Sequence, residues 1–159
     1  MGDFDDFTRQ MRGNHEAASK QHEEQVARAA AERDADWDGQ IALLEEVAGP
    51  IILEAANACE RQGMRPVIER NWDKGRYMAP AIAFRLFGPK QRPHDASTYE
   101  IEASSAHIKV EDGKLRANLS NRSFKSKVGT DYVGYGAEGI SQALKLCIAS
   151  YFEEIAPGS

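Results

Sequence analysis

Ala106-His107-Ile108-Lys109-Val110-Glu111-Asp112-Gly113-Lys114-Leu115-Arg116-Ala117-Asn118-Leu119 carries the clearest strand-turn-strand pattern in the chain. Apolar and polar residues alternate on both sides of Asp112-Gly113. That dipeptide suits a two-residue type I′ turn, which needs a left-handed backbone at both central positions. The turn fixes a register in which Val110 faces Leu115 and Ile108 faces Ala117. A second tight turn at Asn121-Arg122 would pair Leu119 with Phe124 and Leu115 with Val128. A third at Ser104-Ser105 would pair Ile101 with Ile108 and Tyr99 with Val110. All three registers gather Tyr99, Ile101, Ile108, Val110, Leu115, Ala117, Leu119, Phe124 and Val128 on one face. A slip of one residue would move a whole strand's apolar set to the other face, so this agreement predicts a four-stranded antiparallel meander over residues 98–128.

The same register assigns the opposite face. It carries Glu100 and Glu102, then His107, Lys109 and Glu111, then Lys114, Arg116 and Asn118, then Lys125 and Lys127. Glu100 opposite Lys109 and Glu111 opposite Lys114 are ordinary cross-strand pairs. Lys109 opposite Arg116, and Arg116 opposite Lys127, set like charges together at a cost of a few tenths of a kcal/mol each. Long solvated stems relieve such a cost, and so does a bound anion. With Lys90 and Arg92 from the Pro/Gly-rich stretch 88–95, expected to be a loop, these residues define the predicted partner surface: Lys109, Lys114, Arg116, Lys125, Lys127, Lys90 and Arg92. No aromatic ring falls on that face in this register. It therefore suits an acidic protein, or the backbone of a nucleic acid bound without stacking of bases.

Upstream, residues 67–72 and 79–87 read as strands separated by a turn at Asp73-Lys74-Gly75. Two amphipathic helices flank the strands. Residues 38–62 carry Ile41, Leu44, Val47, Ala48, Ile51, Ile52, Ala55 and Cys59 at helical spacing, with Asp38 as N-cap and Gly63 as the stop. Gly49-Pro50 interrupts the run, because proline lacks a backbone donor and crowds the turn before it, so a kink or two abutting helices is expected. Residues 137–155 form the second helix, with a stripe through Ile140, Ala143, Leu144, Cys147, Ile148, Tyr151, Phe152 and Ile155. Residues 1–36 are polar and read as a helical or disordered arm. Its one apolar recurrence, Phe4, Phe7 and Met11, makes a candidate docking segment.

The 159 residues amount to one domain's worth of chain, and the formal net charge of −5 is a sum of opposed blocks. Residues 1–62 hold 14 acidic and 6 basic residues, whereas residues 79–128 hold 5 acidic and 9 basic. An acidic helical segment thus precedes a basic sheet. No apolar run reaches the ~18 residues that span a bilayer, and the start Met1-Gly2-Asp3-Phe4-Asp5-Asp6 lacks the basic and apolar regions of a secretion signal. Cys59 and Cys147 are too few for a disulfide scaffold and sit among apolar helix positions, as buried thiols in a reducing cytosol do.

Catalytic patterns are weak. Gly134-Tyr135-Gly136-Ala137-Glu138-Gly139 spells a dinucleotide-binding fingerprint, but only 20 residues follow it, too few for the parallel unit such a site needs. The glycines read as a tight strand-to-helix turn. His15 and His22 are seven apart, too far to share a metal ion on a helix, and the cysteines have no ligand spacing. No nucleophile has an assignable base. The sequence therefore implies no cofactor and no metal, and reads against an enzyme. It predicts an α+β domain over residues 37–159, with an antiparallel meander carrying both helices on one face, after an arm over residues 1–36. The expected function is a cytoplasmic binding or adaptor protein with a protein partner or self-association. The alternatives are a nucleic-acid binder of low specificity using the same cations, and a small-ligand pocket between sheet and helices rimmed by Trp72, Tyr77, Tyr132 and Tyr135.

Overall fold

A computed structural model describes residues 2–120 and 132–156. The chain is α+β, with a five-stranded antiparallel sheet in the sequential order β1-β2-β3-β4-β5. The strands are β1 (Arg65–Asn71), β2 (Ala81–Gln91), β3 (Thr98–Glu111), β4 (Lys114–Ser120) and β5 (Val133–Tyr135). Helix α1 covers Asp3–Leu43, a π-helical turn Leu44–Ala48, α2 Gly49–Arg61 and α3 Gly136–Glu154. Two compact units divide the chain, Met1–Asp38 and Gly39–Ser159.

The hairpin at Asp112-Gly113 has the expected register. Val110 faces Leu115, Ile108 faces Ala117 and Lys109 faces Arg116. Asp112 and Gly113 take φ of 52° and 75°, the double left-handed geometry of a type I′ turn. Burial follows the alternation: Ile108, Leu115, Ala117 and Leu119 all enter the core.

The turn expected at Ser104-Ser105 does not exist. β3 runs unbroken through it and pairs with β2, from Ala81↔Lys109 to Gln91↔Thr98. What reconciles Ile101 with Ile108 is a bulge. The β2–β3 register passes from Leu86↔Ser104 directly to Phe87↔Glu102, leaving Ala103 as the extra residue. A bulge shifts the alternation by one, so odd positions before it and even positions after it share the inner face. Glu100 consequently faces Pro89, not Lys109, and forms an ion pair with Arg65. The β2–β3 connection instead closes at residues 92–97, where the Arg92 N–H donates to the Ser97 carbonyl (2.8 Å). Residues 88–91, expected in a loop, therefore belong to β2. Pro89 is tolerated there because β1 pairs only as far as Phe87, so that edge of β2 needs no further donor.

The turn at Asn121-Arg122, with Phe124, Lys125, Lys127 and Val128, lies outside the described residues. The far edge of β4 is nevertheless assigned. It pairs with β5, placing Arg116 opposite Tyr135 where Lys127 was expected.

Helix α1 extends through Asp38, so that residue is a helix-interior position and not an N-cap. No α1 residue is buried. Its first turn carries Asp3, Asp5 and Asp6, which suit the positive end of the helix dipole. At Gly49-Pro50 the chain takes the two-helix solution. The Gly49 N–H reaches back five residues to the Leu44 carbonyl, and Pro50 falls in the first turn of α2, where its missing donor costs nothing.

The core lies between the sheet and the layer formed by the π-turn, α2 and α3. Leu44, Ile52, Ile82, Phe84, Leu86, Ile108, Ile140 and Cys147 are fully buried there. Ser104 and Ser150 are buried polar residues, and Ser104 bridges β3 to α3. Its hydroxyl donates to the Cys147 carbonyl at 2.7 Å, and the Cys147 thiol approaches its oxygen at 3.3 Å. Burial pushes that thiol up to about 12, with the Ser104 hydrogen bond opposing. Phe152, expected on the α3 stripe, is exposed and packs edge-on against Tyr151 instead.

Candidate functional site

The outer face follows rung by rung from the register. One rung reads Asn71–Ala81–Lys109–Arg116–Tyr135, the next Glu69–Ala83–His107–Asn118–Val133, and the next begins Val67–Arg85–Ser105. Glu111 and Lys114 close the hairpin end. This face is less open than the alternation implied, since Ala83 and Ser105 are buried within it. Arg85 is the physical reason for its quiet centre. Its guanidinium spans three strands, held by Glu69 of β1 at 3.0 Å and Glu102 of β3 at 2.7 Å. Burial acts to lower the Arg85 pKa, and hydrogen bonds to the two carboxylates outweigh it, so its pKa is raised and the cation is held charged between them.

The hairpin end differs. Lys109 lies directly opposite Arg116. Arg116 reaches Glu111 at 3.2 Å, yet its buried Nε has no hydrogen-bond partner among the described residues. Lys114 is exposed on the next rung. Lys109, Arg116 and Lys114 thus lie on two adjacent rungs, with Glu111 paired to Arg116 among the described residues.

The remaining predicted partner residues do not join them. Lys125 and Lys127 lie outside the described residues. Lys90 sits ten β3 positions away, on the Tyr99 rung, about 30 Å along the sheet. It also points to the helix side, where its Nζ lies 3.9 Å from Glu154 of α3. Arg92 stacks over the Tyr99 ring at 5.1 Å in the same distant corner. The basic surface therefore contracts to Lys109, Lys114 and Arg116.

Trp72 and Tyr77 follow β1, whereas Tyr132 immediately precedes β5 and Tyr135 ends it at the opposite edge of the sheet. Four strand spacings, about 19 Å, separate the pairs, so they rim no common pocket. Trp72 and Tyr132 pack against the core, and the Tyr132 hydroxyl faces the Gly139 carbonyl at 3.4 Å. An open cleft of about 360 Å³ lies between α2 and α3, lined by Ile51, Ala55, Leu144 and Ile148 with Glu54 and Lys145. It separates two helices rather than sheet and helix.

Tyr135, expected on a pocket rim, instead joins the outer face of the sheet. It is 53% exposed and shares the outer rung with Arg116 and Lys109. The signal was present in Val133-Gly134-Tyr135, an alternating run leading into a helix. The glycine fingerprint performs the turn expected of it. A Cβ on Gly139 would collide with the Gly134 backbone, so α3 can begin directly against β5. β5 is antiparallel to β4, which leaves no parallel crossover for a dinucleotide.

Among the described residues, no three His, Cys, Asp or Glu side chains gather to hold a metal ion, and no helix is long and apolar enough to cross a membrane. Phe4, Phe7 and Met11 lie on α1, all exposed. No family model, no curated protein and no solved structure matches the chain.

Proposed function

We propose that the chain is a cytosolic, non-enzymatic binding or adaptor protein that recognises an acidic macromolecule through Lys109, Lys114 and Arg116. The observation carrying this reading is Lys109 directly opposite Arg116. On the same face, Arg85 is answered by two carboxylates, so the sheet neutralises a cation where structure requires it. Leaving a like-charged pair at the hairpin end costs stability in the free protein, and an anionic partner removes that cost. Phe4, Phe7 and Met11 supply a second, apolar contact on α1. Buried thiols at Cys59 and Cys147 accord with a reducing compartment.

Fluorescence anisotropy tests the reading, using labelled polyglutamate and labelled single- and double-stranded oligonucleotides at about 50 mM salt. At least one polyanion should bind the unaltered chain. Combined Lys109→Gln, Lys114→Gln and Arg116→Gln should weaken that binding by tenfold or more. Failure of every polyanion to bind would end this assignment.

A further inference from the structure

We infer that the acidic partner is single-stranded nucleic acid, with Tyr135 as the platform on which a base stacks. This rests on the reading of Lys109, Lys114 and Arg116 as an anion-facing cluster and adds the chemistry that selects among anions. An acidic peptide needs only cations. A single strand needs a charged track for its phosphates and, within one nucleotide's reach, an exposed aromatic face for its bases.

The outer face supplies both on adjacent strands. Tyr135 of β5 lies opposite Arg116 of β4, which lies opposite Lys109 of β3. Neighbouring strands are about 4.8 Å apart, so the three side chains rise from positions spanning about 10 Å of sheet. Lys114, two residues before Arg116 on β4, extends the charge along the strand. One rung further in, Val133 is 41% exposed beside Tyr135, giving β5 two outward apolar side chains in succession. A half-exposed tyrosine and a valine on an edge strand contribute little to folding. They gain burial from a flat apolar partner, and a nucleobase is one that arrives attached to phosphate. Asn118 sits between Val133 and His107 on the same rung and offers an amide to a base edge. Duplex nucleic acid fits worse, because its bases are stacked on one another and offer no free face to Tyr135.

The test uses the full chain and oligomers of about 12 nucleotides, oligo-deoxythymidine and oligo-uridine, each against a duplex of equal length. Both single strands, or one of them, should bind more tightly than the duplex; the difference between them identifies DNA or RNA as the preferred source. Tyr135→Ala should weaken single-strand binding about tenfold, whereas Tyr135→Phe, which keeps the ring, should stay within about twofold. Replacing one cation of the three by glutamine should reduce the slope of log affinity against log salt by about 0.7. On the unaltered chain, ultraviolet crosslinking of an iodouracil-substituted oligomer should map to Tyr135 by mass spectrometry, independently of how any variant folds. Polyglutamate binding without single-strand binding would overturn the nucleic-acid inference and leave the acidic-partner reading standing. Absence of binding by any polyanion would overturn both. Equal affinity for duplex and single strand, or adducts that map away from Tyr135, would overturn the stacking role.

Discussion

The two faces of one sheet follow different rules. On the inner face, Ile82, Phe84 and Leu86 of β2 are wholly buried against the helical layer, and their contribution scales with the apolar area removed from water. On the outer face of the same strand, Arg85 lies between two carboxylates and Ala83, two residues away, is buried. The inner face is apolar through its centre, with the Ser104 hydroxyl satisfied by the Cys147 carbonyl. The outer face is mixed: its middle sets Arg85 between two carboxylates, whereas its hairpin end sets Lys109 beside Arg116 and Tyr135, with Glu111 paired to Arg116. Where a face departs from its own rule without a stabilising reason, binding is the reason to test.

The largest separation between the faces should appear with Phe84→Ala, which removes a fully buried ring and should cost about 3–5 kcal/mol in urea unfolding. A loss below about 1 kcal/mol would mean that the inner face is not the core. Gly139→Ala should cost about 1–3 kcal/mol, because the added methyl meets the Gly134 backbone and α3 must lift from β5.

Alkali should probe the inner face through Cys147. Its thiol is raised from 9.0 to about 12, so folding favours the protonated form. That stability is complete below pH 9.0 and is lost as pH rises toward 12, by about 1.4 kcal/mol near pH 10. Thiol labelling in the native state should be correspondingly slow, and stability that does not fall above pH 9.0 would place this thiol in water. Ser104→Ala should cost about 1 kcal/mol by removing the hydrogen bond to the Cys147 carbonyl. Smallest of all, Lys109→Gln, Lys114→Gln and Arg116→Gln should each change stability by no more than about 0.5 kcal/mol. A large loss from any of them would turn the hairpin end into another structural cluster like Arg85.

Much of the inner face was legible in sequence, because burial writes itself as periodicity. Asp112-Gly113 fixed one register, and the stripe through Ile140, Leu144 and Cys147 located α3. The phase change between Ile101 and Ile108 was also visible, but a turn and a bulge produce the same change. Only the unbroken pairing of β3 with β2 decides for the bulge at Ala103. Lys90 was misplaced for want of one extension: Ile82, Phe84, Leu86 and Gly88 are all even-numbered, and Lys90 continues them onto the helix side. Tyr135 was expected on a pocket rim and not beside Arg116, because a strand as short as Val133–Tyr135 carries too little alternation to fix its register. The cation pair of Lys109 and Arg116 was legible, since it depends only on the tight turn next to it.

The most direct test measures two quantities on one protein, the chain carrying Lys109→Gln, Lys114→Gln and Arg116→Gln together. Its urea midpoint and its affinity for a labelled single-stranded oligomer are compared with those of the unaltered chain at about 50 mM salt. The expected result is a midpoint that holds while affinity falls by tenfold or more. Unchanged affinity for the oligomer would contradict the assignment of the hairpin end as the binding surface.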